Sequence, residues 1–203
     1  MKAIALLSGG LDSVVSMLKA NQAADIVLAL TFDYGQRARE NEIRAARTTC
    51  SKYGIQHRVV PLPFMNTMKS GIIENSGISE TQPWVPNRNG LFINIAACYA
   101  EDLGANWIVC GFNHEEGADF PDNTQEFVDA VNEALKFSTL TGVKLISLVQ
   151  EMDKAEIVKT ALSMGIDLDD IWSCYRPGLK PCGQCPSCLR NKEAYMKAGI
   201  RYD

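Results

Sequence analysis

The sequence predicts an α/β protein with a doubly wound, mainly parallel sheet and a small cysteine-rich segment near its C-terminal end. Three observations point there. Five short apolar runs alternate with stretches of helical periodicity, a glycine pair follows the first run where a helix begins, and composition shifts toward Cys, Pro and Gly from about Ser173 onward. Apolar runs without a solvent-facing polar set belong in strands covered on both faces, and strand–helix–strand repetition requires right-handed crossovers.

The expected strands are residues 3–7, 26–31, 58–62, 107–110 and 143–148. Between the first two, Leu11, Val14, Val15 and Leu18 recur at i, i+3, i+4 and i+7, which draws one apolar stripe along a helix. Ile93, Ala97 and Ala100 mark a second helix, and Ile157, Val158, Ala161 and Leu162 mark another after Lys154. Residues 63–88, punctuated by Gly71, Asn75, Ser76, Gly77, Pro83 and Pro86, are too long for a simple connection and read as a lid or interface loop. The expected division is a nucleotide-binding body over residues 1–172 and a metal-binding segment over 173–203 packed on it.

A chain of 203 residues with a formal net charge of -4 argues against a broad nucleic-acid face, which needs dense positive charge to displace counterions. A small-molecule substrate is expected, with no nucleic acid and no membrane partner. The first apolar run is too short for a signal sequence or a membrane span, so a cytoplasmic location is expected. Of seven cysteines, Cys50, Cys98 and Cys110 are scattered and read as packing residues, while Cys174, Cys182, Cys185 and Cys188 cluster and read as a metal site.

Ser8-Gly9-Gly10-Leu11-Asp12-Ser13 joins the first strand to the first helix. Adjacent glycines allow positive φ and close backbone approach, and the free N–H groups of a helix start attract phosphate. A plain capped turn is the alternative. The string resembles the SGG-x-DS signature of the PP-loop ATP pyrophosphatases, which implies that ATP is cleaved between the α- and β-phosphates. The GK[ST] ending of a Walker loop is absent. Asp12 is expected either to hold Mg2+ or to cap the turn.

Cys174-x7-Cys182-x2-Cys185-x2-Cys188 offers four thiolates, with intervening Gly and Pro to bend the backbone, and four sulfurs make a closed structural Zn2+ site. An iron–sulfur cluster is the competitor, since CxxCxxC also opens a ferredoxin run, but Leu189-Arg190-Asn191 follows where a further Cys-Pro is expected.

Together with Tyr34-Gly35-Gln36-Arg37, Trp84-Val85-Pro86-Asn87-Arg88-Asn89, Phe120-Pro121-Asp122 and the CYRPG and CGQCPSCLR strings, these motifs resemble the 7-cyano-7-deazaguanine synthase family of queuosine biosynthesis nearly end to end. The sequence departs from that family's usual pattern at Ala118-Asp119, where a serine-glycine step is more common. The resemblance implies a Rossmann-like PP-loop fold, a homodimer, one zinc, and conversion of 7-carboxy-7-deazaguanine with ammonia and ATP into the nitrile through adenylates. It also implies that the nucleotide is lined by Leu7, Ser8, Gly9, Gly10, Leu11, Asp12, Ser13, Val14, Val15, Ser16 and Met17.

The candidates for handling charge are Asp12, Arg88 and Lys154, because adenylyl transfer depends mainly on positioning and on neutralising developing charge. Arg88 follows a turn and precedes a helix expected near Gly90; its bland alternative is a solvated arginine. Lys154 opens a helix, where the dipole disfavours a cation and hints at an anionic partner. Tyr34, Gln36, Arg37, Arg88, Asn89, Asn113, Asp119 and Asp122 are the candidate substrate-binding residues. Asp119 and Asp122 suit the N–H edge of a guanine-like ring, although Asp122 could instead cap a helix starting near Thr124. His114 is a candidate base that is more often a surface residue, and His57 reads as structural. The other functions weighed are a PP-loop tRNA thiolase, a related ligase acting on another carboxylate, and a zinc-stabilised nucleotide-binding module without turnover.

Overall fold

The computed structural model describes residues 1–201. Five parallel strands form one sheet: β1 (Lys2–Leu6), β2 (Asp25–Asp33), β3 (His57–Pro61), β4 (Trp107–Cys110) and β5 (Lys144–Ser147), in the order β3-β2-β1-β4-β5. The chain winds outward from β1 toward β3, then returns to the other side of β1. That reversal puts a crevice beyond the carboxyl ends of β1 and β4, where ligands bind in open α/β sheets. The helices are α1 (Leu11–Ala20), α2 (Arg39–Tyr53), α3 (Arg88–Asp102), α4 (His114–Asp119), α5 (Gln125–Ser138), α6 (Lys154–Ser163) and α7 (Pro186–Lys197).

Strand alternation sorts the core into two layers. Ala3, Ala5 and Leu7 pack with α1, α2 and α6 on one face, through residues such as Val14, Val15, Ala46, Ile157 and Val158. Ile4, with Leu28, Leu30 and Ile108, packs on the other face against Ile93, Ala96 and Ala100 of α3 and Val128 and Leu135 of α5. The predicted apolar stripes of α1, α3 and α6 therefore face inward, except that Leu162 stays 43% exposed. The helix expected near Gly90 starts two residues earlier, at Arg88 itself. No described helix is long and apolar enough to cross a membrane.

Residues 63–88 are a packed arm rather than a loose loop. Met65, Ile72, Ile73 and Val85 are buried in the second layer, and Ile73 bridges antiparallel to Gln36. Glu80 fastens the arm from both sides, accepting from Arg37 at 3.1 Å and from Arg176 at 2.9 Å. The cysteine-rich segment is held as firmly. Trp172 N–H donates to Gly9 O at 2.9 Å, Asn41 and Gly178 exchange hydrogen bonds, and Ala194 of α7 packs into the first layer beside α6.

Candidate functional site

The glycine loop is shaped by three neighbours. Gly9 has φ +80°, and a Cβ there would lie 2.6 Å from Glu42 O and 2.9 Å from Ala45 Cβ, so only glycine lets α2 close on the loop. A Cβ on Gly111, just past β4, would lie 2.5 Å from Ser13 N. Ser13 Oγ donates to Gly10 O at 2.9 Å and accepts from Ser8 N–H at 3.3 Å, holding the turn from inside. Gly10 is the N-cap of α1 and no side chain caps it, so the expectation that Asp12 caps the turn does not hold.

The loop forms one end of a cavity of about 260 Å³. At that end Lys154, the first residue of α6, pairs with Asp12 and lies 3.5 Å from Glu116. Arg190 of α7 joins the chain of charges, 3.4 Å from Glu116 and 3.5 Å from Asp119. Desolvation alone would lower the Lys154 pKa, but Asp12 and Glu116 outweigh it, so the pKa is raised and the ammonium stays charged. Burial pushes the Asp12 carboxyl up against the pull of Lys154, and its Oδ1 is buried with no hydrogen-bond partner. A buried, unpartnered carboxylate oxygen beside a phosphate-shaped loop fits a hard divalent cation.

The other wall comes from the end of β2, the start of α2 and the start of α3. Arg88 Nη1 donates to Tyr34 Oη at 3.3 Å, and its Nε donates to Asn89 Oδ1 at 3.3 Å. Burial pushes the Tyr34 phenol up to about 12 despite Arg88 beside it. Gln36 Nε2 donates to Glu42 Oε2 at 2.9 Å and to Phe32 O at 2.9 Å. Burial raises the carboxyl pKa of Glu42, and also that of Asp122 across the cavity. Trp84 of the arm stacks over Phe120 with centroids 6.3 Å apart, and both rings line the cavity.

Sequence candidates therefore divide. Leu7, Ser8, Gly10, Asp12, Ser13, Tyr34, Gln36, Arg88, Asn89, Asp122 and Lys154 line one cavity. Gly9 does not; it faces α2, whereas Leu11, Val14, Val15 and Met17 are core and Ser16 accepts from Leu148 N–H. Arg37 is turned to Glu80, and Asn113 is buried as the N-cap of α4, accepting from Glu116 N–H. Asp119 has a side chain 61% exposed and faces Arg190. Asp122 does not cap α5, because Thr124 does. His114 is exposed at the head of α4, and His57 shares a 2.8 Å hydrogen bond with Thr31. Glu42, Glu116 and Arg190 also line the cavity and carry no sequence expectation, since each sits on a polar helix with no motif of its own, although the tail string CGQCPSCLR does contain Arg190.

Four thiols gather beside this cavity. The Sγ atoms of Cys174, Cys182, Cys185 and Cys188 all lie within 4.8 Å of one another, with Cys174–Cys185 and Cys182–Cys188 at 3.9 Å. Backbone N–H groups of Arg176 and Cys182 point at Cys174 Sγ, and those of Gln184 and Cys185 point at Cys182 Sγ. Although burial opposes it, those donors and the neighbouring thiols bring Cys182 down to about 6. Such a pocket could hold a metal ion.

A glycine loop between the central parallel strand and a helix, opening on a switch-point crevice, defines a PP-loop-type Rossmann-like protein with a cysteine cluster able to bind metal. The chain belongs to the family described as queuosine biosynthesis protein QueC, whose profile matches residues 2–199. It is 46% identical to the 7-cyano-7-deazaguanine synthase of Desulforudis audaxviator, over 98% of both chains. Against the protein of that name from Carboxydothermus hydrogenoformans it is 48% identical, over 95% of this chain and 97% of the other. Among solved structures it resembles the U34-tRNA thiolase NcsA from Methanococcus maripaludis with its [4Fe-4S] cluster, with TM-score 0.56 and 18% identity over 97% of this chain and 64% of that one. It also resembles the NH3-dependent NAD synthetase of Campylobacter jejuni, with TM-score 0.54 and 16% identity over 84% of this chain and 66% of the other. Likeness at that identity extends to the fold alone.

Proposed function

We propose that this chain is a 7-cyano-7-deazaguanine synthase, an ATP-dependent carbon–nitrogen ligase that makes a nitrile. The observation that carries the proposal is a single cavity joining the SGGLDS loop and its Asp12–Lys154 pair to a wall bearing Tyr34, Gln36, Arg88 and Asp122. The end-to-end relatives of that name support it.

In this mechanism the carboxylate of 7-carboxy-7-deazaguanine attacks the α-phosphorus of ATP, giving the acyl-adenylate and pyrophosphate. Ammonia adds at the acyl carbon, AMP leaves with the former carboxylate oxygen, and one proton is lost, leaving the amide. The amide oxygen then attacks the α-phosphorus of a second ATP, releasing a second pyrophosphate, and loss of AMP and of the two N–H protons yields the nitrile. Ser8, Gly10 and Ser13 hold the leaving phosphates, while Lys154 and Arg190 neutralise the charge that develops on them. Arg88, steadied by Tyr34 and Asn89, orients the reacting carboxylate. Asp12 would hold Mg2+ through its unpartnered oxygen, and the ion would supply further charge neutralisation at the phosphates.

Cys174, Cys182, Cys185 and Cys188 would hold Zn2+. Zinc–sulfur bonds of about 2.3 Å in a tetrahedron separate sulfurs by roughly 3.8 Å, in keeping with the 3.9 Å pairs. A cubane cluster interposes an iron behind each sulfur and needs a wider set. The site is full with four thiolates, so its role is structural: it would close the segment that starts at residue 173 on itself, shaping it to pack on a body of residues 1–172. A homodimer in the cytoplasm belongs to the same proposal, and light scattering tests the assembly. Mass spectrometry after incubation with ATP, magnesium, ammonium and 7-carboxy-7-deazaguanine should give the nitrile, AMP and pyrophosphate. ADP as the sole nucleotide product would overturn the mechanism.

A further inference from the structure

Four acidic side chains line the cavity, and among the described residues two of them, Glu42 and Asp122, make no ion pair; Asp122 is held by its chain neighbour Asn123, whose Nδ2 donates to it at 3.0 Å. Asp12 is paired with Lys154, and Glu116 is shared by Lys154 and Arg190. Glu42 lines the same cavity, yet among the described residues no lysine or arginine stands within ion-pair distance of it, and Gln36 Nε2 on Oε2 is the one hydrogen bond to its carboxylate. Arg88 attracts it only from a distance, being turned to Tyr34 and Asn89.

The carboxylate is also fixed in place. The backbone of Glu42 is the surface against which Gly9 closes, so the residue cannot shift without opening the glycine loop. Gln36 is itself held, by Phe32 O through Nε2 and by Tyr34 N–H through Oε1, so its amide is a rigid donor that aims the Glu42 carboxylate and leaves Glu42 Oε1 available. Beside it stands an aromatic wall: Phe32 and Phe92 stack with centroids 4.0 Å apart and planes at 10°, and Tyr34 is tilted 5.5 Å from Phe92.

A half-buried acceptor with no ion-pair partner, set beside flat apolar faces, repels phosphate and carboxylate and suits a planar ring that presents N–H donors at its edge. We propose that Glu42 reads the N–H edge of a purine-like ring, with its acceptor direction set by Gln36. This rests on the function proposed above, whose reaction brings two such rings into the cavity. The 2-amino-4-oxo edge of a 7-deazaguanine carries two adjacent donors that match a carboxylate, and adenine carries its exocyclic amino group.

The experiment is calorimetric titration of wild-type, Glu42→Gln and Glu42→Asp protein with 7-carboxy-7-deazaguanine, with its analogue lacking the 2-amino group, and with a non-hydrolysable ATP analogue, each separately. Glu42→Gln should weaken one of the two rings by about 10- to 100-fold, the loss expected when a charged acceptor is replaced by a neutral one. If the 7-deazaguanine weakens and the 2-amino group ceases to matter, Glu42 faces the substrate. If only the ATP analogue weakens, Glu42 faces adenine. Both results support the proposal. Unchanged affinity for both rings, in variants whose circular dichroism matches wild type, overturns it. Glu42→Asp keeps the charge and decides the matter if the glutamine variant fails to fold: full affinity for both rings from a carboxylate drawn back by one methylene would overturn the proposal equally. Turnover of wild-type protein is scored in parallel, so a failure of the proposed reaction is seen separately from a failure at Glu42.

Discussion

Lys154 occupies the first position of a helix, where the dipole disfavours a cation, and it is 5% exposed. Asp12 and Glu116 reverse that balance, so the anionic partner expected from its position is met within the chain by two carboxylates. Lys154→Met should leave Asp12 buried without a counter-charge beside Glu116, which keeps Arg190, costing roughly 3–5 kcal/mol in urea unfolding. Adding Asp12→Asn should restore much of that stability while turnover stays lost. Because the folded pKa of Lys154 is raised, its stabilisation is fully present below the ordinary lysine range and is lost only as pH climbs through the higher folded value. Glu42 has the opposite consequence. Its raised folded pKa means the native state binds more protons, so stability falls as pH rises above the ordinary glutamate range. Thermal melts from pH 4 to 8 should show a shallower decline for Glu42→Gln, with a melting temperature at pH 7 no lower than wild type. Gly9 illustrates what a motif conceals. Its sequence context implies that a side chain there would invade phosphate space, whereas the missing Cβ points at Glu42 O and Ala45. Gly9→Ala should therefore cost about 1–3 kcal/mol of stability with no ligand present, measured by denaturant titration.

At the scale of elements, the strands and the helices α1, α3 and α6 were legible because burial imposes a period on their residues. Helix α2 was not, since Arg39, Glu40, Asn41 and Glu42 open it with four polar residues in succession. Residues that line the cavity from helices share that difficulty: Glu42, Glu116 and Arg190 become neighbours only through packing between elements far apart in sequence. The arm was recognised by its length and punctuation, but its fastening was not, because Glu80 meets Arg37 and Arg176 across 43 and 96 residues. Those ion pairs are partly exposed, so Glu80→Ala should change global stability by no more than about 1 kcal/mol. It should nevertheless raise the KM for the heterocycle, as Trp84 rides on the arm, and steady-state kinetics provides the check. The cysteine spacing was the most readable feature of all, because four thiolates must converge for any metal to bind. Cys185→Ser removes one of the four thiols while its hydroxyl can still cap α7, so the variant isolates the metal from the cap. Loss of about one zinc per chain and a lowered unfolding midpoint should accompany it, and a metal-free variant as stable as wild type would remove the structural role.

For the molecule as a whole, fold class could be read from alternation and motif order, while the cavity's composition depends on contacts that no local pattern encodes. One of those contacts, the hydrogen bond from Trp172 N–H to Gly9 O, spans nearly the entire chain. Gly9 is synthesised well before Trp172, with all but the first of the five strands between them. During translation the glycine loop must wait with its carbonyl unanswered until the segment around Trp172 emerges and folds over it. A nascent chain that has completed four or even five strands thus still lacks a finished glycine loop, and the proposed capacity to handle nucleotide should arrive abruptly, once Trp172 has emerged, rather than growing in step with the sheet.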